Sequence, residues 1–127
     1  MWAGDGEAKV LYVQTHGVSD PGRSATPFFL AASAAAMEVE VGIYFTMYGP
    51  QLLQRDVVDK IGPKGDRGQR LSYFIKQATD LGVRLYVCQP SLDLNDLGME
   101  DMIDGVEMIG GAAFNDLAIS ADAVVSF

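Results

Sequence analysis

The sequence predicts a single α/β domain built on a parallel β-sheet that helices cover on both faces. Five short apolar segments alternate with helical segments along the chain, an order that is typical of parallel sheets. The length of 127 residues suits one domain, and an apolar fraction of 49% is enough for a hydrophobic core. The sequence shows neither an internal repeat nor a second domain.

The first strand is predicted at residues 9–14, an almost continuously apolar run of the kind that buried parallel strands show. Thr26 and Pro27 then predict a helix start, with Thr26 as the N-cap and proline at the first helical position. The helix is rich in alanine and continues to about Met37.

The second strand is predicted at residues 38–46, which are polar at the start and apolar later. A short helix is predicted at residues 51–59, because three apolar side chains fall on one side: Leu52, Leu53 and Val57. Residues 61–68 contain three glycines and a proline, and they therefore predict a loop.

Residues 69–81 predict the clearest helix, because five apolar residues recur at helical spacing: Leu71, Phe74, Ile75, Ala78 and Leu81. Gly82 is a helix stop, and the third strand follows at residues 83–87. The remaining predicted elements are a short helix within residues 93–103 capped by Asn95 or Asp96, a strand at 105–110, a helix at 111–120 and a strand at 122–127.

The net charge of −8 is unevenly distributed. Residues 1–84 contain nine basic and nine acidic residues, whereas residues 85–127 contain no Lys or Arg and eight acids: Asp93, Asp96, Glu100, Asp101, Asp104, Glu107, Asp116 and Asp122. This surface argues against binding to a phosphate backbone, so no nucleic-acid partner is expected. It favours a partner with a basic face. The alternative is that the acidic segment only aids solubility.

The N-terminal residues 1–7 are predicted to be flexible, and residues 8–127 to form the domain. The first residues resemble no signal peptide, and no apolar run approaches the roughly 20 residues of a membrane span. We therefore expect a cytoplasmic protein with no membrane partner, in which a lone thiol stays reduced.

Cys88 is the single cysteine, and it stands where the third strand ends. The carboxyl ends of parallel strands open into the crevice where ligands and chemistry are found. A thiol there can act as a nucleophile or as a sulfur carrier, but it cannot form an internal disulfide. The alternative is that Cys88 is a small hydrophobic residue of the core.

Three residues near predicted strand ends are candidate supports for the Cys88 thiol: His16, Tyr48 and Ser91. His16 offers the thiol a positive or hydrogen-bonding partner. The alternative interpretation is that His16 is a loop residue without a role. The helix after Cys88 offers its N-terminus, whereas the acids at 93, 96, 100 and 101 disfavour a thiolate if they lie close. The sequence therefore indicates no strongly activated cysteine, and we expect its reactivity to depend on a docking partner.

No metal or cofactor is expected. One Cys and one His do not make a zinc site, and no ligand spacing is present. The glycines at 62–68 lack Walker spacing, and those at 105, 110 and 111 do not form a dinucleotide fingerprint. The sequence also contains no G-x-S-x-G nucleophile elbow.

Several motifs in order resemble the DsrE/DsrF-like sulfur-relay family. After the alanine-rich helix come Phe45-Thr46-Met47-Tyr48-Gly49 and then Val87-Cys88-Gln89-Pro90-Ser91. The ending Met102-Ile103-Asp104-Gly105-Val106-Glu107, with Gly110-Gly111 and a last short strand, is similar too. The resemblance covers roughly residues 8–127.

The resemblance implies a three-layer α/β/α sandwich with a five-stranded parallel sheet, assembled as homotrimers, homohexamers or related hetero-oligomers. It also implies sulfur trafficking, in which a cysteine after the third strand accepts sulfane sulfur as a persulfide or thiosulfonate and passes it on. That cysteine matches Cys88, and the implied partners are sulfur-carrier or rhodanese-type proteins. Some relatives carry a second cysteine soon after the first, where this chain has Asp93 and Asp96.

The function is therefore expected to be that of a sulfur carrier or sulfurtransferase subunit working through Cys88. One alternative is a non-catalytic oligomeric module that binds a ligand or a partner, with Cys88 structural. A weaker alternative is a peroxide-reducing enzyme, against which the absence of a second cysteine argues.

Overall fold

The five predicted strands form one parallel sheet in the computed structural model, which describes residues 2–4 and 7–127. Their spatial order is β4-β3-β2-β1-β5, with bounds β1 (Lys9–Gln14), β2 (Glu40–Phe45), β3 (Arg84–Cys88), β4 (Val106–Ile109) and β5 (Ala123–Ser126). The predicted sheet is thereby confirmed. The predicted flexible N-terminus falls partly on Met1, Asp5 and Gly6, which lie outside the described residues, and it stays a prediction.

Within the described part of the chain, four α-helices cover the sheet: α1 (Thr26–Ala36), α2 (Leu71–Asp80), α3 (Gln89–Leu94) and α4 (Gly111–Ser120). The first three pack on one face, through buried residues that include Phe28, Ile75 and Leu92. Helix α4 packs on the other face through Leu117, and the indole N–H of Trp2 donates to the Leu117 carbonyl at 3.2 Å. The fold is therefore a three-layer α/β/α sandwich, as predicted.

The connections open a crevice beside β3. From β1, the strands β2, β3 and β4 follow one another across the sheet, and the helices that connect them lie on one face. Helix α4 then crosses the other face and places β5 on the free side of β1. Helices α3 and α4 consequently leave neighbouring strands towards opposite faces. A crevice between strand ends whose connections diverge in this way is the usual ligand site of open α/β sheets.

Three sequence predictions of local structure are wrong. Thr26 is not an N-cap but the first residue of α1. The preceding 3₁₀ helix, Pro21–Arg23, leads almost directly into α1, and Ala25 already has helical angles of φ −96° and ψ −16°. The chain therefore needs no polar cap at Thr26.

The predicted helix at 51–59 is a 3₁₀ helix at Gly49–Leu53. Gln54 turns to an extended ψ of 135° and pairs with Met102 in an antiparallel bridge, and this tertiary pairing ends the helix.

The predicted helix within 93–103 begins earlier, at Gln89, directly after Cys88. Pro90 lies in the first turn, where the missing N–H of proline has no cost. Asn95 follows the last helical residue rather than capping the start, and a separate 3₁₀ turn forms at Met99–Asp101. Among the described residues, no helix combines the length and apolarity that a membrane span requires.

Candidate functional site

Cys88 is the last residue of β3 and immediately precedes α3. Its side chain points to the α4 side of the sheet, where it packs in a cluster that includes Tyr44, Ile109 and Leu117. Only 7% of the residue is exposed. A thiol in this position meets other molecules through the crevice at the strand ends.

A cavity of about 310 Å³ lies at that crevice and includes Cys88 in its lining. Its walls come from the end of β2, from the first turns of α3 and from the turn between β4 and α4: Tyr44, Thr46, Met47, Pro90, Ser91, Leu94, Ile109, Gly110 and Gly111. A larger cavity of about 520 Å³ at the opposite edge of the sheet is lined by Glu7, Glu38 and Glu40 among others, but by no thiol or hydroxyl side chain. The smaller cavity is therefore the candidate site.

Two hydroxyl groups contact the sulfur of Cys88. The Oγ of Ser91 lies 2.7 Å from the sulfur, and the Oγ1 of Thr46 lies 3.5 Å from it. The two hydroxyl oxygens are 3.1 Å apart. Ser91 Oγ also accepts the backbone N–H of Met47 at 2.9 Å, so its own proton is available to Cys88 or Thr46.

Tyr44 provides a third hydroxyl on the same side of the sheet, and its phenol lowers the pKa of Cys88. Burial, followed by the contact with Cys88, raises the pKa of Tyr44 well above its ordinary value. The phenol therefore stays protonated and remains a donor near neutral pH. Its ring packs on Phe114 of α4 with the centroids 4.3 Å apart, which fixes the position of the hydroxyl.

The pKa of Cys88 lies below the ordinary value of a cysteine thiol. Burial is the largest single influence and raises the pKa, but hydrogen bonds from Ser91, Tyr44 and Thr46 together lower it by more. Donors that point at a thiolate stabilise the charged form. These hydroxyl groups give the thiol some activation of its own, which the sequence did not indicate. The expectation that its reactivity depends on a docking partner stays a prediction.

The wall formed by Met47 is held in a constrained conformation. Met47 has a positive φ of 55°, which is uncommon for a residue with a side chain. The Nδ2 of Asn95 donates to the Met47 carbonyl at 2.8 Å, and the Nε2 of Gln51 donates to Asn95 Oδ1 at 2.9 Å. Gln51 in turn accepts the N–H of Val18 at 3.0 Å, so the loops after β1 and β2 are tied to α3.

Of the candidate supports, the structure brings only Ser91 into contact with Cys88. His16 lies 3.3 Å from the Thr15 hydroxyl and 3.9 Å from an Asp20 carboxylate oxygen, and it lines no part of the cavity. Tyr48 donates its backbone N–H to Thr15, and its side chain is half exposed outside the lining.

Sequence reasoning missed Tyr44 and Thr46 as members of the site. The two residues are two positions apart at the end of β2, so they project to the same side. The spacing alone predicts that the two side chains share one side of the strand. Their proximity to Cys88 depends on β2 lying beside β3 in the sheet, which the spacing does not indicate. Among the described residues, no group of three or more His, Cys, Asp or Glu is placed to hold a metal ion.

Comparison with known proteins identifies relatives over nearly the whole chain. The model of the DsrE/DsrF-like family matches residues 8–127. Sulfur carrier protein DsrE2 of Allochromatium vinosum is 27% identical over 154 aligned positions, which cover 91% of this chain and 96% of that protein. Uncharacterized protein MJ0760 of Methanocaldococcus jannaschii is 22% identical over 84% of this chain but only 38% of its own length.

Two solved structures share the fold. The crystal structure of the ychN protein from E. coli superposes with a TM-score of 0.76 at 18% sequence identity. The protein of unknown function MTH1491 from Methanobacterium thermoautotrophicum superposes with a TM-score of 0.62 at 16% sequence identity. Each comparison covers 95% of this chain and 99% of the other, so the likeness extends over the whole domain.

Proposed function

Because the chain belongs to the DsrE/DsrF-like family, we propose that it is a sulfur-carrier or sulfurtransferase subunit that holds sulfane sulfur on Cys88. The relative from Allochromatium vinosum, a sulfur carrier protein, supports this role. The observation that carries the proposal is the position of the Cys88 thiol, which borders a cavity and contacts the hydroxyl groups of Ser91 and Thr46. These donors favour the thiolate, which is the reactive form.

Loading takes place by attack of the Cys88 thiolate on the outer sulfur of a donor persulfide, R–S–SH. The S–S bond of the donor breaks, its electron pair leaves with the donor thiolate, and Cys88–S–SH forms. With tetrathionate as donor, the same attack releases thiosulfate and leaves a thiosulfonate on Cys88. Neither step needs a cofactor, because one S–S bond replaces another.

Unloading is the reverse exchange with a partner. A partner thiolate attacks the outer sulfur of Cys88–S–SH, takes that sulfur as its own persulfide and returns Cys88 to the thiolate. The chain has no second cysteine, so an internal disulfide cannot discharge the cargo. The sulfur therefore leaves only to another molecule, which is the behaviour of a carrier.

The assembly and setting are part of the same proposal. The carrier works in the cytoplasm as a homotrimer or homohexamer and exchanges sulfur with sulfur-carrier or rhodanese-type proteins. Exposed apolar side chains on β4, α4 and β5 support an interface between subunits, with Met108 46%, Ile119 85% and Val124 47% exposed. Sedimentation velocity tests this part, and a monomer at micromolar concentration would contradict it.

Mass spectrometry of the intact protein tests the sulfur-holding role. After incubation with polysulfide, thiosulfate or tetrathionate, we expect the wild type to gain the mass of sulfane sulfur or of a thiosulfonate group. The Cys88→Ser variant should gain neither. Equal gains in both proteins would place the sulfur elsewhere and overturn the proposal.

A second candidate function is a non-catalytic binding module, which the low exposure of Cys88 favours. In such a module the thiol is only part of the core. The rate of modification by a small neutral maleimide separates the two functions. A carrier requires labelling of the folded protein, whereas a structural thiol is labelled only under unfolding conditions.

A further inference from the structure

The mouth of the Cys88 cavity has an apolar rim. Met47 and Leu94 are 50% and 52% exposed, and both side chains also line the cavity. Exposed apolar side chains grouped around an opening are typical of interaction sites. Because Cys88 itself is buried, any thiol that exchanges with it must approach through this rim.

The rim is held in place before any partner arrives. Both backbone polar groups of Met47 are hydrogen bonded. Its N–H donates to Ser91 Oγ at 2.9 Å, and its carbonyl accepts from the Nδ2 of Asn95 at 2.8 Å. Leu94 is the last residue of α3, one position before Asn95. A surface whose backbone is already fixed loses less conformational entropy on binding.

The rim is acidic on its α3 side. Asp93 adjoins Leu94 and is exposed, as is Asp96 in the turn that follows. Within the part of the chain that the structure describes, neither carboxylate forms an ion pair. The sequence has no Lys or Arg from residue 85 onwards, so α3, β4 and α4 bring no positive charge to this edge.

The arginines that follow β1 and β2 do not change this balance. Arg23 pairs with Asp20 at 3.0 Å, and Arg55 pairs with Asp104 at 2.7 Å. Each of these positive charges is matched by a carboxylate of its own. The surface around the rim therefore has a negative excess, and opposite potentials steer an encounter between proteins.

We infer that the rim of Met47 and Leu94, with Asp93 and Asp96 at its edge, is the docking surface for a partner protein whose exchanging thiol lies in a basic and apolar surface. Apolar side chains of the partner cover the rim, and its Lys and Arg side chains face the two carboxylates. An acidic partner is repelled. The inference rests on the proposed function, because it names the partner of the same thiol.

Two peptides with an activated disulfide test this inference. Both carry a central cysteine as its 2-pyridyl disulfide next to a leucine, with lysines on either side in one peptide and glutamates in the other. The Cys88 thiolate attacks the peptide sulfur, the S–S bond breaks, and pyridine-2-thione leaves with the electron pair. The rate of its release is measured by absorbance and divided by the rate that each peptide shows with 2-mercaptoethanol.

We expect the basic peptide to react about 10-fold faster than the acidic peptide at low ionic strength. The ratio should fall towards one at about 1 M salt, where the Debye length is only about 3 Å. The double variant D93N/D96N should lose most of the preference. The control variant E38Q/D80N makes the same change in net charge at the opposite edge of the sheet, before β2 and β3. It should keep the preference for the basic peptide.

The possible outcomes separate the two proposals. Equal normalised rates, or a preference that D93N/D96N leaves unchanged, overturn the docking surface but leave the carrier role of Cys88 intact. No reaction of the folded protein with either peptide overturns both. A preference lost in D93N/D96N and kept in E38Q/D80N supports the docking surface.

Discussion

The hydroxyl oxygen of Ser91 lies 2.7 Å from the sulfur of Cys88, three positions earlier in the chain. The contact joins the end of β3 to the first turn of α3, and it therefore depends on the helix beginning directly after the cysteine. Ser91 is itself oriented by the backbone N–H of Met47, which leaves its proton for the thiolate.

Replacing Ser91 with alanine should make Cys88 a weaker acid. The hydrogen bond from Ser91 is the largest of the contributions that lower the pKa of Cys88, so its loss raises that pKa. The alkylation rate with iodoacetamide follows the thiolate fraction, and in the wild type its midpoint should lie below the ordinary pKa of a cysteine thiol. In Ser91→Ala the midpoint should move to higher pH, and the rate at neutral pH should fall.

The matched control for this prediction is Ser33→Ala on α1, an exposed serine that bonds only to the Phe29 carbonyl. Its profile should coincide with that of the wild type. An unshifted profile in Ser91→Ala would show that the serine does not stabilise the thiolate.

Replacing Tyr44 with phenylalanine should raise the pKa of Cys88 without loosening the packing. The variant keeps the ring that packs on Phe114 and removes only the hydroxyl, which lowers the pKa of Cys88. The same alkylation profile measures the effect, and Tyr12→Phe on the other face of the sheet is the control. A change in Tyr12→Phe as large as in Tyr44→Phe would mean that the effect is not a local hydrogen bond.

Replacing Ser91 with cysteine should convert the site to a dithiol. The two side-chain atoms are already 2.7 Å apart, so a small rearrangement brings two sulfurs to bonding distance. Oxidised glutathione accepts the two electrons, and we expect a disulfide between residues 88 and 91 with no free thiol left. Thiol titration and peptide mass mapping check the result, and two titratable thiols after oxidation would contradict the observed geometry.

Replacing Gly49 with alanine should destabilise the turn that carries Thr46 and Met47. A Cβ at Gly49 would overlap the backbone oxygen of Gln14, so β1 and this turn would have to separate. We expect a loss of about 1–3 kcal/mol in the free energy of unfolding, as overpacking usually causes. Gly22→Ala, whose Cβ would meet nothing within 4 Å, should be nearly neutral in the same urea titration.

Much of the fold could be predicted from local pattern. Strand β1 and helix α4 have the predicted bounds, because an unbroken apolar run and a glycine pair mark them clearly. The helix after Cys88 begins earlier than the sequence predicts, because proline at position 90 is well accommodated in the first turn of a helix. The 3₁₀ helix at Gly49–Leu53 ends where Gln54 pairs with Met102, and no local pattern reports such a distant contact.

The candidate site could be predicted only in part. The position of Cys88 at a strand end followed from the sequence, and Ser91 was named as a support. Tyr44 and Thr46 were missed because their role depends on β2 lying beside β3. The chemistry of His16 suits a support for the thiol, but its loop directs it towards Thr15 and Asp20.

The most direct test of the central claim is the amount of sulfane sulfur that cyanide releases from the loaded protein. Cyanide attacks the outer sulfur of Cys88–S–SH and leaves as thiocyanate, which is measured after excess polysulfide has been removed. We expect one thiocyanate per chain from the wild type and none from Cys88→Ser. An equal yield from Cys88→Ser, or no thiocyanate from the wild type, would contradict the account.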